Sequence, residues 1–226
     1  MTTRLYLIRH GATQLSSEDR FSGGTDVELS DEGRWQAAQL ADRLAHDKIC
    51  AIYCSQMHRT IETAEIIGAP HRIAPIQRDS LREIHHGHWE TLRRSEVEEQ
   101  FPEEYAEWQM DPFTFAPEGG ESGLIVMARA LPVIREIVVA HVGETVAVVS
   151  HKATIRLILS SLLGFDARGY RDRLEQSPCC LNILDFKDPV RARLMLFNDV
   201  SHYVDQPPYS ERRLSKWWDS TAAGSK

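Results

Sequence analysis

Short apolar runs with the length and composition of buried strands recur along the chain, and helical patterns separate them. Residues 4–8, 49–54 and 144–149 are the clearest of these runs. After the first run, Ser30 has the residue type and position of a helix N-cap. The helix that it starts has an apolar face made of Trp35, Ala38, Leu40, Ala41 and Leu44. Such alternation predicts an α/β fold with three α/β/α layers and a mainly parallel central sheet.

The same patterns predict the elements of the remaining chain. We expect a helix over residues 58–67, which Gly68 and Pro70 end, and a third strand within residues 72–76. Residues 95–110, 121–141 and 152–163 predict three further helices, and Pro132 should kink or break the second of them. Residues 181–186 and 193–197 are typical of an antiparallel hairpin.

Length and composition narrow the class of protein. The 226 residues predict one domain over residues 1–206, a helical cap inserted near residues 90–120, and a tail over residues 207–226 whose Trp217 and Trp218 could cover the core. Hydrophobic residues make up 42% and charged residues 26%, as in ordinary globular proteins. The formal net charge of −7 disfavours general binding to nucleic acid.

The sequence lacks membrane, secretory and disulfide patterns, and these absences predict where the protein is located and whether its cysteines are reduced. No apolar run approaches the roughly 18 residues of a transmembrane helix, and the first residues have no secretory pattern. We therefore predict a cytoplasmic protein without membrane contact. The four cysteines have no disulfide framework and no CxxC spacing, so we interpret all of them as buried small hydrophobic residues. They are Cys50, Cys54, Cys179 and Cys180.

Arginine and histidine side chains stand where three predicted strands end. Arg9 and His10 follow the first strand, Arg59 comes shortly after the second, and His151 follows the strand of residues 144–149. Because the carboxyl ends of parallel strands share one edge of a sheet, we expect these side chains to meet there. Arginine forks match phosphate oxygens, and histidine serves as nucleophile or base. The combination predicts an anion pocket suited to a phosphoryl group, whereas arginines would repel a metal ion.

Five sequence blocks, in order along the chain, carry a family resemblance. LIRHGAT, CSQMHRTIETA, LREIHHGHWE, PEGGES and VVSHKATIR span residues 7–156. Together they resemble the histidine phosphatase superfamily, in the branch that includes phosphoglycerate mutases and many small-molecule phosphatases. A single RHG would carry little weight, but five ordered blocks at predicted strand ends are specific.

The resemblance implies a role for each matching residue. His10 would attack phosphorus and form a phosphohistidine, while Arg9 and Arg59 would grip the phosphoryl oxygens. His151 would complete the cradle. Glu83 would protonate the leaving alkoxide and later activate water, which is general acid–base catalysis. No metal or organic cofactor is implied, because histidine itself carries the phosphoryl group.

The chain departs from the family pattern at several positions, including Leu15 where members often have Trp, and two of them bear on substrate binding. Ser16 stands where members often have a longer Asn, so Thr13, Ser22 and the backbone of Gly23 join it as candidate substrate contacts. Lys152 follows the second histidine, where members often have Gly. We interpret Lys152 as an added cation that favours substrates with a second anionic group.

A phosphomonoester hydrolase of a small phosphorylated metabolite is the function that the blocks favour. A cofactor-dependent phosphoglycerate mutase is an alternative, although Ile84 and His86 replace the Arg and Tyr that mutases usually carry. A non-catalytic phospho-ligand binder is another. Glu90 competes with Glu83 for the acid role, and the neighbouring histidines at 85, 86 and 88 are interpreted as pocket rim. The sequence leaves the oligomeric state open, a homodimer included.

Overall fold

A single sheet of six strands organises the protein. The computed structural model describes residues 1–14 and 20–204. Its strands are β1 (Thr3–Arg9), β2 (Ile49–Cys54), β3 (Ile76–Gln77), β4 (Thr145–Ser150), β5 (Leu181–Phe186) and β6 (Ala192–Asp199), and they lie in the order β3-β2-β4-β1-β5-β6. Trp217 and Trp218 lie outside the described residues, as does Ser16.

The four strands β1 to β4 run parallel, and the hairpin of β5 and β6 closes the sheet beside β1 in the antiparallel sense. The prediction of a mainly parallel sheet is therefore confirmed. Register places Arg9 opposite Ser150, and Cys54 opposite Val149. The carboxyl ends of β1, β2 and β4 consequently share one edge.

Helices cover both faces of this sheet. They are α1 (Asp31–Leu44), α2 (His58–Gly68), α3 (Arg94–Gln100), α4 (Pro102–Met110), α5 (Gly123–Ala140), α6 (Lys152–Leu163) and α7 (Tyr170–Arg173). Successive strand residues point to opposite faces. Leu5 and Leu7 of β1 pack into the core formed with α5 and α6, whereas Tyr6 and Ile8 join α1 and α2. The three layers that the sequence predicts are thus present.

The apolar face of α1 differs from the predicted one. Ser30 does cap the helix, because its Oγ accepts a hydrogen bond from the Gly33 N–H at 3.1 Å. Trp35, however, is 49% exposed and contacts Tyr203 at a ring-centroid distance of 5.9 Å. The buried stripe consists of Gly33, Gln36, Ala37, Leu40, Ala41 and Leu44. At 3.6 residues per turn, position 35 lies on the face of α1 opposite that stripe.

Proline chemistry accounts for two further differences. The helix predicted over residues 95–110 is divided into α3 and α4, because Pro102 occupies the first turn of α4 and cannot continue α3. Pro132, by contrast, does not break α5, which runs from Gly123 to Ala140. Burial of Ala130, Ile134 and Ile137 against the sheet offsets the missing backbone hydrogen bond.

The third strand and one cysteine also depart from expectation. β3 is only the pair Ile76–Gln77, since Ala69–His71 form a 3-10 turn and Arg72 takes a left-handed φ of 57°. All four cysteines are free, as predicted, but only three are buried: Cys50 is exposed. In the described residues, no helix is long and apolar enough to cross a membrane.

An aromatic cluster supports α3 and α4 apart from the sheet. Trp89 is fully buried there and packs with Phe21, Tyr105 and Trp108. These helices lie in the segment for which the sequence predicts a cap. The division into a domain over residues 1–206 and a tail stays a prediction.

The α1 face yields a stability test. Leu40→Ala removes a fully buried side chain and should lower the free energy of unfolding by about 2–5 kcal/mol. Trp35→Ala should cost less than about 1 kcal/mol, because half of that side chain is already in water. Urea denaturation of both variants measures the difference, and equal losses would contradict this assignment of the helix face.

Candidate active site

The ends of β1 and β4 bring two histidines together. The N–H of His10 donates to the carbonyl of Ser150 at 3.0 Å, which extends the β1–β4 pairing by one residue. His10 and His151 are therefore neighbours, with ring centroids 5.1 Å apart and planes inclined at 64°. The parallel register itself thus delivers both imidazoles to one place.

His10 is held in one tautomer. Its Nδ1 donates to the carbonyl of Gly11 at 2.7 Å, so in the neutral ring Nε2 carries the lone pair. The side chain lines a cavity and is almost completely buried. Burial lowers its pKa well below 6.5, and the charges of Arg59 and Arg9 lower it further. The ring is therefore neutral at neutral pH.

His151 is fully buried and does not belong to the lining of that cavity. Its Nδ1 accepts a hydrogen bond from Arg59 Nε at 3.3 Å, and its Nε2 lies 2.7 Å from Ser55 Oγ. In a neutral ring, Nε2–H must therefore donate to Ser55. Burial lowers the pKa of His151 well below 6.5, followed by the charge of Arg59.

Arg59 joins α2 to the loop that carries Ser22 and Gly23. Its Nη2 donates to the carbonyl of Gly23 at 3.1 Å and its Nη1 to the carbonyl of Thr25 at 2.8 Å. Position 23 must be glycine, because a Cβ there would lie 1.6 Å from the carbonyl oxygen of Ile84. Gly23, Ser22 and Thr13 all line the cavity.

Arg9 is anchored at one end of its guanidinium. Its Nη1 donates to the carbonyl of Gln176 at 2.7 Å. Its Nε is buried and has no acceptor among residues 1–14 and 20–204. An unpaired buried donor costs free energy, so an acceptor that reached this atom from the cavity would be favoured.

Glu83 faces the same cavity and is fixed by the start of α6. Its Oε1 accepts from the N–H groups of Ile84 and Thr154 and from the Thr154 hydroxyl, each at 3.0 Å. Its Oε2 accepts from the Ala153 N–H at 3.0 Å. First-turn amides of a helix favour an anion, so the N-terminus of α6 orients this carboxylate.

Two other carboxylates in this region have structural roles. Glu90 accepts hydrogen bonds from the N–H groups of Gly24 and His86, both at 2.9 Å, and does not line the cavity. Glu121 binds Arg129 at 2.9 Å and Arg82 at 2.8 Å. Arg129 in turn donates to the carbonyl of Glu83 at 3.0 Å and so fixes the Glu83 backbone. Of Glu83 and Glu90, the cavity therefore receives only Glu83.

The cavity has a volume of about 240 Å³ and a strongly cationic wall. Its lining includes six basic side chains, namely Arg9, Arg20, Arg59, Lys152, Arg156 and Arg171, and among the residues that the structure describes Glu83 is its one acidic side chain. His86 also lines it, whereas the other two histidines of the rim prediction do not. A small anion fits such a space.

Lys152 and Arg156 form a second cationic group on this wall. They are one turn apart on α6, and both approach Glu175: Lys152 Nζ at 3.5 Å and Arg156 Nη2 at 3.4 Å. The Arg156 side chain is only 5% exposed, and its Nε has no partner within the described part of the chain. Burial, then the charges of Arg156 and Arg9, lower the pKa of Lys152 to about 8.

Sequence reasoning missed several of these lining residues. Arg156 had a signal, since it lies four residues after Lys152 on a predicted helix and so shares its face. Arg171 had none. Its guanidinium lies 4.4 Å from the ring centroid of Trp108, a contact between α7 and α4 that only the tertiary fold creates.

Comparison with known proteins agrees with this geometry. The sequence pattern of the histidine phosphatase superfamily (branch 1) matches residues 5–200. Phosphoserine phosphatase 1 of Hydrogenobacter thermophilus is 34% identical over 163 residues, 72% of this chain and 77% of that protein. The glucosyl-3-phosphoglycerate phosphatase of Mycolicibacterium vanbaalenii is 34% identical over 169 residues, which cover 71% of this chain and 74% of that protein. The solved structure of Bacillus stearothermophilus YhfR superposes with a TM-score of 0.83 at 32% identity, covering 88% of this chain and 98% of that one.

Buried neutral histidines make stability depend on pH. Because the pKa of His10 in the folded protein lies well below that of an unfolded histidine, about 6.5, the unfolded state binds the extra proton as the pH falls. The free energy of unfolding should therefore decrease below pH 6.5. In His10→Gln the slope between pH 5 and 6.5 should shrink by up to about 1.4 kcal/mol per pH unit. Urea titrations at several pH values measure it. An unchanged slope, or the same change in the exposed control His46→Gln, would contradict the assignment.

Proposed function

Since the chain belongs to the histidine phosphatase superfamily (branch 1) and is a phosphomonoesterase of small phosphorylated metabolites, we propose that it works through a phosphohistidine on His10. We further propose that its natural substrate carries a second anionic group. The first proposal rests above all on the buried, neutral His10 ring, whose Nε2 lone pair the hydrogen bond to Gly11 makes available. A cytoplasmic location belongs to the same proposal.

In the first step, Nε2 of His10 attacks phosphorus, and the bond between phosphorus and the ester oxygen breaks. Arg9 and Arg59 stabilise the charge on the equatorial phosphoryl oxygens, as fixed cations do in phosphoryl transfer. Arg59 reaches this position with one edge already bonded to loop carbonyls, so little reorganisation is needed. His151 contributes by holding Arg59 through its Nδ1.

Glu83 supplies the proton that the leaving alkoxide requires. Its Oε2 accepts one backbone hydrogen bond, compared with three for Oε1, so we assign the proton to Oε2. In the second step the resulting carboxylate takes a proton from water, whose oxygen attacks phosphorus. The bond to Nε2 then breaks, inorganic phosphate forms, and Glu83 is protonated again.

Thr13, Ser22 and Gly23 lie on the cavity wall as substrate contacts in this proposal, and Ser16 stays a sequence-based candidate outside the described residues. The relatives named as phosphatases favour hydrolysis over the mutase alternative. A non-catalytic binder would not need a neutral nucleophile and a fixed carboxylate in one cavity.

Removal of the nucleophile is the first test. His10→Ala should lower phosphate release by at least about a thousandfold across a panel of phosphorylated metabolites, because it removes the atom that forms the covalent intermediate and leaves only binding and charge stabilisation. The exposed His46→Ala serves as control and should retain full turnover. Acid-labile, base-stable labelling of the wild type by ³²P-substrate should vanish in His10→Ala. Retained labelling, or isomerisation of 3-phosphoglycerate with a bisphosphate primer instead of hydrolysis, would contradict the proposal.

The acid role of Glu83 has its own signature. Glu83→Gln should reduce kcat/KM for alkyl phosphates, which reports phosphoryl transfer from the substrate to His10, by roughly 10²–10⁴-fold, the usual worth of general acid catalysis. The loss in kcat/KM should be much smaller with p-nitrophenyl phosphate, whose phenolate leaves without a proton, whereas kcat should fall on both esters because the second step needs Glu83 as a base. Steady-state kinetics on both esters measures the two ratios, and a matching loss in kcat/KM on the two would exclude the assigned role in the first step.

The second anionic group concerns Lys152 and Arg156. Among the residues that the structure describes, Glu175 is the one carboxylate within ion-pair distance of both, so the two cations share it and retain a net positive charge. Phosphoserine and glucosyl-3-phosphoglycerate, the substrates in the names of two relatives, both carry a carboxylate besides the phosphate. This chemistry supports a substrate whose tail is anionic.

Lys152→Ala tests this specificity. It should lower kcat/KM for a phosphoester with a carboxylate tail about 10–100-fold, the worth of a hydrogen bond to a charged group, and for a neutral-tailed ester at most about twofold. Because the pKa of Lys152 is about 8, the preference for the charged tail should decline above that pH in the wild type only. Arg156 and Arg9 lower this pKa and Glu175 raises it. Lys48→Ala, exposed elsewhere, is the control. Equal losses on both esters would overturn the idea.

A further inference from the structure

Three side chains with metal-binding chemistry converge at the opposite edge of the sheet from the active site. The Sγ of Cys50 lies 3.4 Å from Nδ1 of His141 and 3.3 Å from Oε2 of Glu144, and the last two atoms are 2.9 Å apart. Cys50 lies near the amino end of β2, and Glu144 directly precedes β4. At about 3.3 Å per residue, Cys50 is roughly 17 Å along the strand from Ser55 at the catalytic edge.

A backbone irregularity directs Cys50 outward. The register between β2 and β4 shifts between Ile49 and Ala51, so Cys50 is the extra residue of a bulge. Bulges re-aim a side chain. This explains why Cys50 is exposed while the rest of β2 is buried, and why its Sγ reaches the turn before β4.

That turn presents the other two donors. The N–H of Glu144 donates to the carbonyl of His141 at 3.1 Å, and Gly143 adopts the left-handed φ of 86° that closes it. The Thr3 hydroxyl also donates to the His141 carbonyl, at 3.0 Å. Both side chains therefore project from a backbone that is fixed independently of any ligand.

Two further observations point to a cation. The second ring nitrogen of His141, Nε2, lies 3.1 Å from the hydroxyl of Tyr53, as in metal sites where an outer partner orients a ligating imidazole. His141 is also the C-cap of the 18-residue helix α5. The carboxyl end of a helix carries negative partial charge and attracts positive charge.

We propose that Cys50, His141 and Glu144 bind a divalent metal ion of the zinc class, with water as the fourth ligand. Thiolate, imidazole and carboxylate are the ligand types that Zn²⁺ takes. Metal–ligand distances of about 2.0–2.3 Å in a tetrahedron separate ligand atoms by about 3.3–3.6 Å. The observed separations are within a few tenths of an ångström of that range.

The charges balance when the ion binds. The Cys50 thiol loses its proton to solvent, the neutral His141 ring donates Nε2–H to Tyr53 and offers Nδ1, and Glu144 binds as carboxylate. Two anionic ligands then neutralise the ion. Burial and Glu144 raise the pKa of the Cys50 thiol to about 11, so the metal must displace this proton at neutral pH.

The site is independent of the proposed catalysis. It lies at the other edge of the sheet, and none of its three residues lines the catalytic cavity. The bound ion would join β2 to the turn between α5 and β4. It would stabilise the folded chain, because a ligand that binds only the folded state raises its stability.

Cobalt substitution tests the proposal on the full chain. After removal of metal by chelator, one equivalent of Co²⁺ should give a sulfur-to-cobalt charge-transfer band in the near ultraviolet, which Zn²⁺ then abolishes by displacement. Cys50→Ser should eliminate the band. His141→Gln and Glu144→Gln should each weaken binding at least about tenfold. The exposed controls His46→Gln and Glu136→Gln should bind like the wild type.

Zn²⁺ should also raise the thermal midpoint of the wild type but not that of Cys50→Ser. The shift in the wild type can be measured even if one of the variants folds poorly. Phosphatase activity should be equal in Cys50→Ser and wild type, so failure here is distinguishable from failure of the catalytic proposal. A band that persists in Cys50→Ser would assign the metal to another thiol and overturn the proposal. Absence of binding at millimolar Zn²⁺ would do the same.

Discussion

Burial of several positive charges around one small cavity is the constraint on which the rest of the site depends. A guanidinium is costly to remove from water unless its donors are satisfied. Arg59 meets this cost with the carbonyls of Gly23 and Thr25 and with Nδ1 of His151. Arg59 therefore holds the loop at residues 23 and 25, and Gly23 in this loop packs so close to the Ile84 carbonyl that a Cβ would not fit.

The same charges set the protonation of the two histidines. Burial and neighbouring arginines raise the free-energy cost of protonating an imidazole, so both rings stay neutral. Each neutral ring then needs one hydrogen-bond donor and one acceptor as partners, or a substrate in place of one of them. His10 uses the carbonyl of Gly11, and His151 uses Ser55 and Arg59. Burial beside the arginines thus keeps His10 neutral as a nucleophile. It also keeps His151 neutral, so that its Nδ1 can accept the hydrogen bond that positions Arg59.

Much of this arrangement could be predicted from sequence because it depends on local patterns. Strand runs, the Ser30 cap and the strand-end positions of Arg9, His10 and His151 are readable from residue types and spacing. Trp35 was placed wrongly because its apolar character was given more weight than the helical period, which puts position 35 on the face opposite Leu40 and Leu44. The contacts of Arg171 and the exposure of Cys50 were not readable, since the first needs α7 on α4 and the second a bulge in β2.

The remaining question is why an acidic chain tolerates so cationic a cavity. The net charge of the chain is −7, yet six basic side chains line one cavity, and a cationic lining of this kind raises the local concentration of anions. Repulsion among the cations is only partly relieved by Glu83 and Glu175. Burial is the first cause that lowers the pKa of Lys152 to about 8, and repulsion by Arg156 and Arg9 adds to it. An anion that enters would reduce this repulsion, and the unpartnered Nε atoms of Arg9 and Arg156, both lining residues, would favour an acceptor beside them. Repulsion among the lining cations thus disfavours the folded state of the free protein, and a bound anionic substrate would offset it. A cavity of this kind therefore selects its ligand by charge as well as by shape.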